Sequence, residues 1–145
     1  VVCVIAQVPG SGERHRPGPG IDYRTMRDID ICDVDGDGKK EIVAATALGM
    51  VVLLDAKCNK LWASRLASPA NVLACAQAKG QKQARIVLGC DDGQARVLDA
   101  QGNLVQKGAL AGRPVVIRRM TGARGEQVVV LGTEAGGVMS CIVGE

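Results

Sequence analysis

Aromatic residues are almost absent from this chain, which has no Phe, one Tyr and one Trp in 145 residues. The core must therefore be built from Val, Leu, Ile, Ala and Cys. Ligand pockets are often lined by aromatic side chains, and this chain contains only Tyr23 and Trp62. A sugar site that stacks aromatic rings is therefore disfavoured, and Trp62 is predicted to be a core or inter-repeat wedge.

Other shortages narrow the functional classes. The single histidine, His15, lies in a Gly- and Pro-rich stretch, Pro9–Gly20, where solvent exposure is the expected state. No nucleophile elbow occurs, so we expect a protein that is not an enzyme. No apolar run approaches the roughly 20 residues of a membrane span. The net charge of +3 is mild, and no nucleic-acid partner is predicted, although a basic arm could meet an anionic partner. That arm holds Arg14, His15, Arg16, Arg24 and Arg27.

The cysteines are widely spaced and form no C-x-x-C pair. An even number permits disulfides, but most of them lie inside apolar runs, where free Cys behaves as a small buried hydrophobe. We therefore expect free thiols, an expectation that leaves the redox compartment open. The six are Cys3, Cys32, Cys58, Cys75, Cys90 and Cys141.

One acidic stretch, DVDGDGKKE, has the pattern of a cation-binding loop. Three aspartates occupy alternate positions, glycines supply backbone freedom for a tight turn, and a fourth carboxylate follows. Calcium takes six to eight oxygen ligands in a flexible geometry. The predicted ligands are the side chains of Asp33, Asp35, Asp37 and Glu41, with the backbone carbonyl of Lys39.

The type of loop follows from its spacing. A helix–loop–helix calcium site needs a bidentate Glu at its twelfth position, but the twelfth residue counted from Asp33 is Ala44. A β-type run begins at Glu41, so the loop is predicted to join two strands. The alternative is a polar turn without metal, yet four carboxylates within nine residues repel one another strongly.

From Asp28 onward the chain repeats itself. Ile42-Val43 aligns with Ile86-Val87 after 44 residues and then with Val129-Val130 after 43. Leu54-Asp55-Ala56 likewise aligns with Leu98-Asp99-Ala100. A period in the low forties, built of short β-type runs and turns, is typical of a β-propeller, whose blades each have four antiparallel strands.

The predicted organisation is all-β, with about three blades of four antiparallel strands in a partial propeller. An N-terminal strand, Val1–Val8, and the basic linker occupy residues 1–27. The repeats are predicted at 28–70, 71–113 and 114–145, the last without its outer strand. We expect the open apolar faces either to meet further blades of a longer propeller or to drive self-association.

The motif Asp33-x-Asp35-x-Asp37-Gly38-x-x-Glu41 followed by Ile42-Val43 resembles the FG-GAP/VCBS repeat of integrin-α-type propellers. That resemblance implies calcium in a hairpin loop of a blade. Glu41 stands where the final Asp is commoner, and the stretch Gly49–Trp62 also has quinoprotein-like repeat character. The second repeat places Gln77, Lys79, Gln81 and Arg85 at the ligand positions and the third has no acidic triplet, so a single calcium site is predicted.

Two functions are compatible with these features. The first is a non-catalytic binding scaffold for a protein or glycan, in which the calcium is structural. The second is the propeller part of a carbohydrate-active lyase or a quinone-dependent enzyme. A calcium loop of this kind fills where calcium is millimolar, which favours an extracellular, cell-surface or periplasmic location.

Overall fold

The computed structural model describes residues 25–143, which form eleven strands and no helix. The predicted strand Val1–Val8, the linker and His15 lie outside the described residues. Within 25–143 no helix is long and apolar enough to cross a membrane. The strands are β1 Met26–Cys32, β2 Glu41–Thr46, β3 Met50–Leu54, β4 Lys60–Arg65, β5 Ala70–Gln77, β6 Ala84–Cys90, β7 Gln94–Leu98, β8 Leu104–Ala109, β9 Pro114–Thr121, β10 Gln127–Thr133 and β11 Val138–Ile142.

Each sequence repeat forms one antiparallel sheet. The sheets run in the orders β1-β2-β3-β4, β5-β6-β7-β8 and β9-β10-β11. We call them blades 1, 2 and 3; blade 3 has three strands within the described residues. The first strand of each blade lies innermost, where β5 contacts both β1 and β9. The predicted all-β partial propeller is confirmed.

Blade 2 has an apolar core layer on each face, and a third cluster lies on the face of blade 1 opposite to blade 2, formed by Met50, Val52 and Leu54 of β3. Because side chains alternate across a strand, Ile86 and Leu88 of β6 pack against blade 1, whereas Val87 between them packs towards blade 3. All three are fully buried. The near-continuous apolar run of β6 is therefore explained by burial on both faces of the sheet.

Two carboxylates on β1 accept hydrogen bonds from backbone amides of β5, the inner edge strand of blade 2. Asp28 Oδ2 accepts a hydrogen bond from the amide of Leu73, and Asp30 Oδ2 accepts one from the amide of Cys75, each at 2.8 Å. An innermost strand has no neighbour on its axial side, so its backbone donors need such partners. The two aspartates thus join blade 1 to blade 2.

Trp62 is the inter-repeat wedge that the sequence predicted. From β4 of blade 1 its indole Nε1 donates to the carbonyl of Ala100 in blade 2, at 2.9 Å. Its ring lies over Gly102, where an added Cβ would come within 2.9 Å of it. Gly102 is therefore required both by its positive φ of 85° and by this close approach.

The expectation of free thiols is wrong for Cys32 and Cys75. These two form a disulfide between the end of β1 and the middle of β5. Both side chains point into the same apolar layer between blades 1 and 2. They are therefore buried like small hydrophobic residues, as predicted, but they lie close enough to form a bond. Cys58 and Cys90 are free thiols, and Cys3 lies outside the described residues.

Candidate metal centre

The acidic loop connects β1 to β2 of blade 1 and is held in place by blade 2. The amide of Ala84 donates to the carbonyl of Val34 at 2.9 Å, and the Val34 side chain is fully buried. Gly36 has a φ of 82°, and a Cβ added there would lie 2.7 Å from Cβ of Lys82. Glycine is therefore needed at position 36 for both its conformation and its contact with the β5–β6 loop.

Backbone amides of the loop orient its carboxylates. Asp33 accepts from Gly36 N through Oδ1 and from Gly38 N through Oδ2, at 2.7 and 2.8 Å. Asp35 Oδ1 accepts from the amide of Asp37 at 3.0 Å, and Asp37 Oδ1 accepts from that of Lys39 at 2.8 Å. The Oδ2 atoms of Asp35 and Asp37 accept no hydrogen bond from any residue within 25–143, so they are available to a ligand.

The four predicted carboxylates converge. Asp33, Asp35, Asp37 and Glu41 each offer an oxygen, and these oxygens lie within 4.8 Å of one another. Glu41 is 4% exposed, and its Oε2 accepts from the amide of Val34 at 2.7 Å. Burial raises the pKa of Glu41, with the charges of Asp35 and Asp37 adding to the effect and the Val34 amide opposing it. A hard divalent cation is the natural counter-charge for such a cluster.

Within the described residues, blades 2 and 3 have no such cluster. Among residues 25–143, this is the one group of at least three His, Cys, Asp or Glu side chains arranged to hold a metal ion. At the equivalent end of blade 2, Gln77 instead donates from its Nε2 to the carbonyl of Lys82, and the Lys79 ammonium donates to the carbonyl of Arg124, each at 2.8 Å. These contacts tie loops together without acidic ligands.

A polar cleft beside the loop was not found from the sequence. It measures about 150 Å³ and lies where β1, β5 and β9 meet, with Asp33, Lys40, Gln77, Arg119 and Gln127 among its lining residues. A second cleft of about 270 Å³ adjoins it along the inner strands and shares Arg119. The basic pair Arg118-Arg119 within a predicted inner strand was the available signal.

Solved structures with the same fold were found at low sequence identity. A chain of the Chaetomium thermophilum Polycomb Repressive Complex 2 superposes with a TM-score of 0.69 at 11% identity, covering 86% of this chain and 30% of that one. BBS1N in complex with ARL6DN gives 0.61 at 13% identity, covering 81% and 37%. BamB from Moraxella catarrhalis gives 0.51 at 17% identity, covering 81% and 34%.

The chain thus spans about a third of the length of these structural neighbours. No curated protein matches its sequence significantly. A family profile, however, described as the lambda-carrageenase beta-propeller domain, matches residues 21–111, which include all of blades 1 and 2. The propeller fold and this match over more than half of the sequence lead to one conclusion: the chain belongs to the lambda-carrageenase beta-propeller domain family.

Proposed function

We propose that the chain is a calcium-binding propeller module that acts as a non-catalytic binding scaffold for a protein or glycan. The observation that carries this proposal is the convergence of four carboxylates within 4.8 Å. The side chains of Asp33, Asp35, Asp37 and Glu41, with the carbonyl of Lys39, would hold the ion. Calcium bound there supplies positive charge that offsets their mutual repulsion and fixes the loop against blade 2.

Two further observations support calcium over an empty acidic turn. Amide hydrogen bonds already orient Asp33, Asp35 and Asp37, so little ordering of the loop is needed to receive an ion. The spacing of the acidic residues also resembles the FG-GAP/VCBS repeat. The Cys32–Cys75 disulfide favours an oxidising compartment, because disulfides are rare in the reducing cytosol. An extracellular, cell-surface or periplasmic location agrees with both features.

Thermal unfolding in chelator and in millimolar calcium tests the metal site. An ion that binds only the folded protein at a hundredfold excess over its dissociation constant stabilises it by about 2.7 kcal/mol. We expect Tm to rise with calcium and Asp35→Asn to abolish the rise. Glu134→Gln, which removes an exposed carboxylate far from the loop in sequence, should leave the rise intact.

Calorimetric titration should give one calcium per chain, because blades 2 and 3 have no equivalent cluster among the described residues. A Tm that is the same in chelator and in calcium contradicts the proposal. A stoichiometry of two or three contradicts the assignment of a single site.

The family match favours a second candidate, the propeller part of a polysaccharide-acting enzyme. This candidate predicts that the chain binds lambda-carrageenan, or that a longer protein containing it cleaves that polymer. Reducing-end assays on both proteins, with binding measured separately, distinguish the two candidates. Cleavage that requires side chains of this chain would overturn the non-catalytic scaffold. If the chain does not bind the polymer and the longer protein does not cleave it, the second candidate is excluded.

A further inference from the structure

The polar cleft beside the acidic loop has an excess of unused hydrogen-bond donors. Arg119 Nη1 donates to Asp30 Oδ2, at 3.2 Å, and to the carbonyl of Cys75. Its Nε and Nη2 groups meet no acceptor among the described residues. The guanidinium is therefore fixed on one side by blades 1 and 2 and presents its remaining donors to the cleft.

Two other side chains add donors to the same cleft. Gln127 Oε1 accepts a hydrogen bond from the backbone amide of Gln77 at 2.6 Å. This contact fixes the Gln127 side chain and leaves its Nε2 without an acceptor within residues 25–143. Lys40 is exposed and lines the cleft, and its ammonium has no carboxylate partner in the described part of the chain.

The acceptors at this place, by contrast, are already engaged. Of the carboxylates in residues 25–143, Asp33 alone lines the smaller cleft, and both its oxygens accept hydrogen bonds from backbone amides of its own loop. In the adjoining cleft, Asp28 and Asp30 accept backbone amides through both oxygens. The groups of the cleft that still lack a partner are therefore donors, which a ligand with acceptor oxygens would satisfy. Charge-assisted hydrogen bonds from Arg and Lys favour oxyanions.

We propose that this cleft binds an oxyanion, a sulfate ester or a carboxylate, carried by a saccharide chain. Arg119, Lys40 and Gln127 supply the donors. No aromatic ring among the described residues lines either cleft, so affinity depends on charge and a neutral sugar is not a ligand. Because the two clefts share Arg119, a chain of several units can follow the inner strands past this arginine. The oxyanion rests on the cleft alone; the saccharide carrier rests on the second candidate function above.

Titration of the whole chain with inorganic sulfate, at low ionic strength and in chelator, tests the cleft without the metal site. Nuclear magnetic resonance shifts should change at Gln77, Arg119 and Gln127 and saturate. Gln127→Glu keeps the acceptor for the Gln77 amide but replaces a donor by negative charge, and it should weaken sulfate binding about tenfold. Lys40→Gln, at an exposed side chain, should weaken it several-fold.

Matched controls lie on β8, the exposed outer strand of blade 2. Gln106→Glu and Lys107→Gln make the same chemical changes there and should alter sulfate affinity less than twofold. Equal losses in the controls, or no saturable shift in the native chain, overturn the proposal. Replacing sulfate by acetate distinguishes the two oxyanions.

Oligosaccharides then test the carrier. A sulfated galactan, a uronate chain and a neutral chain of equal length are titrated separately. Binding of either charged chain but not the neutral one, lost in Gln127→Glu, supports the proposal. Binding of inorganic sulfate with no binding of either charged chain overturns the saccharide carrier, and neutral-chain binding overturns the dependence on charge. Asp35→Asn, which disables the proposed calcium site and removes a negative charge from the loop beside the cleft, should not weaken sulfate binding in chelator.

Discussion

At the scale of single residues, two equivalent turns show how the repeat has diverged. Asp55 Oδ1 accepts the amides of Lys57 and Asn59, and Asp99 Oδ1 accepts those of Gln101 and Asn103. The residue before each Asn has a positive φ: 85° at Gly102 and 64° at Cys58. Cys58 therefore occupies a left-handed position for which glycine is the natural residue.

The substitution Cys58→Gly is predicted to stabilise the chain by about 0.5–1 kcal/mol. Relief of the left-handed strain of a residue with a side chain, about 1–2 kcal/mol, outweighs the greater flexibility of glycine in the unfolded state. Urea unfolding of both proteins measures the difference. Cys58→Ala, which keeps a Cβ, should not stabilise, and a gain with alanine as large as that with glycine would contradict the explanation.

Asp91, which follows β6 of blade 2, forms ion pairs on the sides of both neighbouring blades. Its carboxylate pairs with Arg27 of blade 1 and with Arg113, next to blade 3, the latter at 3.1 Å. The hydrogen bond from Arg27 holds the pKa of Asp91 below its usual 3.8, with Arg113 contributing and burial opposing. A carboxylate whose pKa is depressed by folding stabilises the folded state at pH values above its unfolded pKa. That stabilisation is lost as the pH falls through the pKa of the folded state.

The variant Asp91→Asn should therefore be less stable than the native chain at pH 7, by about 1–2 kcal/mol. The difference should shrink as pH falls from 3.8 through the lower pKa of the folded state, because the carboxylate is then protonated first in the unfolded chain and then in the folded one. Urea unfolding at pH 7 and at successive acidic pH values measures it. A difference that is independent of pH would show that the two ion pairs contribute nothing.

At the scale of elements, the inner strands are joined by more than packing. The Cys32–Cys75 disulfide links β1 to β5 across 43 residues of sequence. Next to it, Asp30 accepts from the amide of Cys75 and from Arg119 of β9. All three inner strands are thus tied together directly behind the acidic loop.

Removal of this disulfide is predicted to lower the free energy of unfolding by about 2–4 kcal/mol, chiefly because the unfolded chain gains freedom. The double variant Cys32→Ala/Cys75→Ala measures the loss, and reductant should have little effect on that variant. Cys58→Ala should remain sensitive to reductant, as the native chain is. Equal stability of the oxidised and reduced native chain would contradict the prediction.

At the scale of the whole molecule, blade 3 presents an apolar face to solvent. Val116, Met120 and Val138 are 40%, 53% and 78% exposed. Val116 and Val138 both pair with Gly132, and they lie on the face opposite to the buried Ile117 and Leu131. Contiguous apolar surface of this kind is typical of an interface.

We therefore predict that the chain self-associates, most simply as a two-fold dimer through this face. Light scattering over a range of concentrations should show a mass above that of one chain, and Val116→Lys should reduce it. Val105→Lys, on the outer strand β8 where Val105 is 49% exposed, should not. A monodisperse monomer at all concentrations would contradict the prediction.

The sequence by itself determined the strands, the repeat and the acidic cluster, since each is a local property. The β-type run predicted to begin at Glu41 is β2, Glu41–Thr46, in the structure, because the turn residues before it and the apolar run itself specify a strand within a few positions. The carboxylates of Asp33, Asp35, Asp37 and Glu41 converge because their spacing in one loop already places them together.

Only the tertiary structure decided what lies between blades. Cys32 and Cys75 are indistinguishable in sequence from the buried free thiol Cys90, and their pairing depends on how blade 1 packs on blade 2. Arg119 and Lys40, 79 positions apart in sequence, share a cleft for the same reason. Local patterns fix the hydrogen-bonded blades, whereas the contacts that cross from one blade to the next are set by the packing of side chains far apart in the chain.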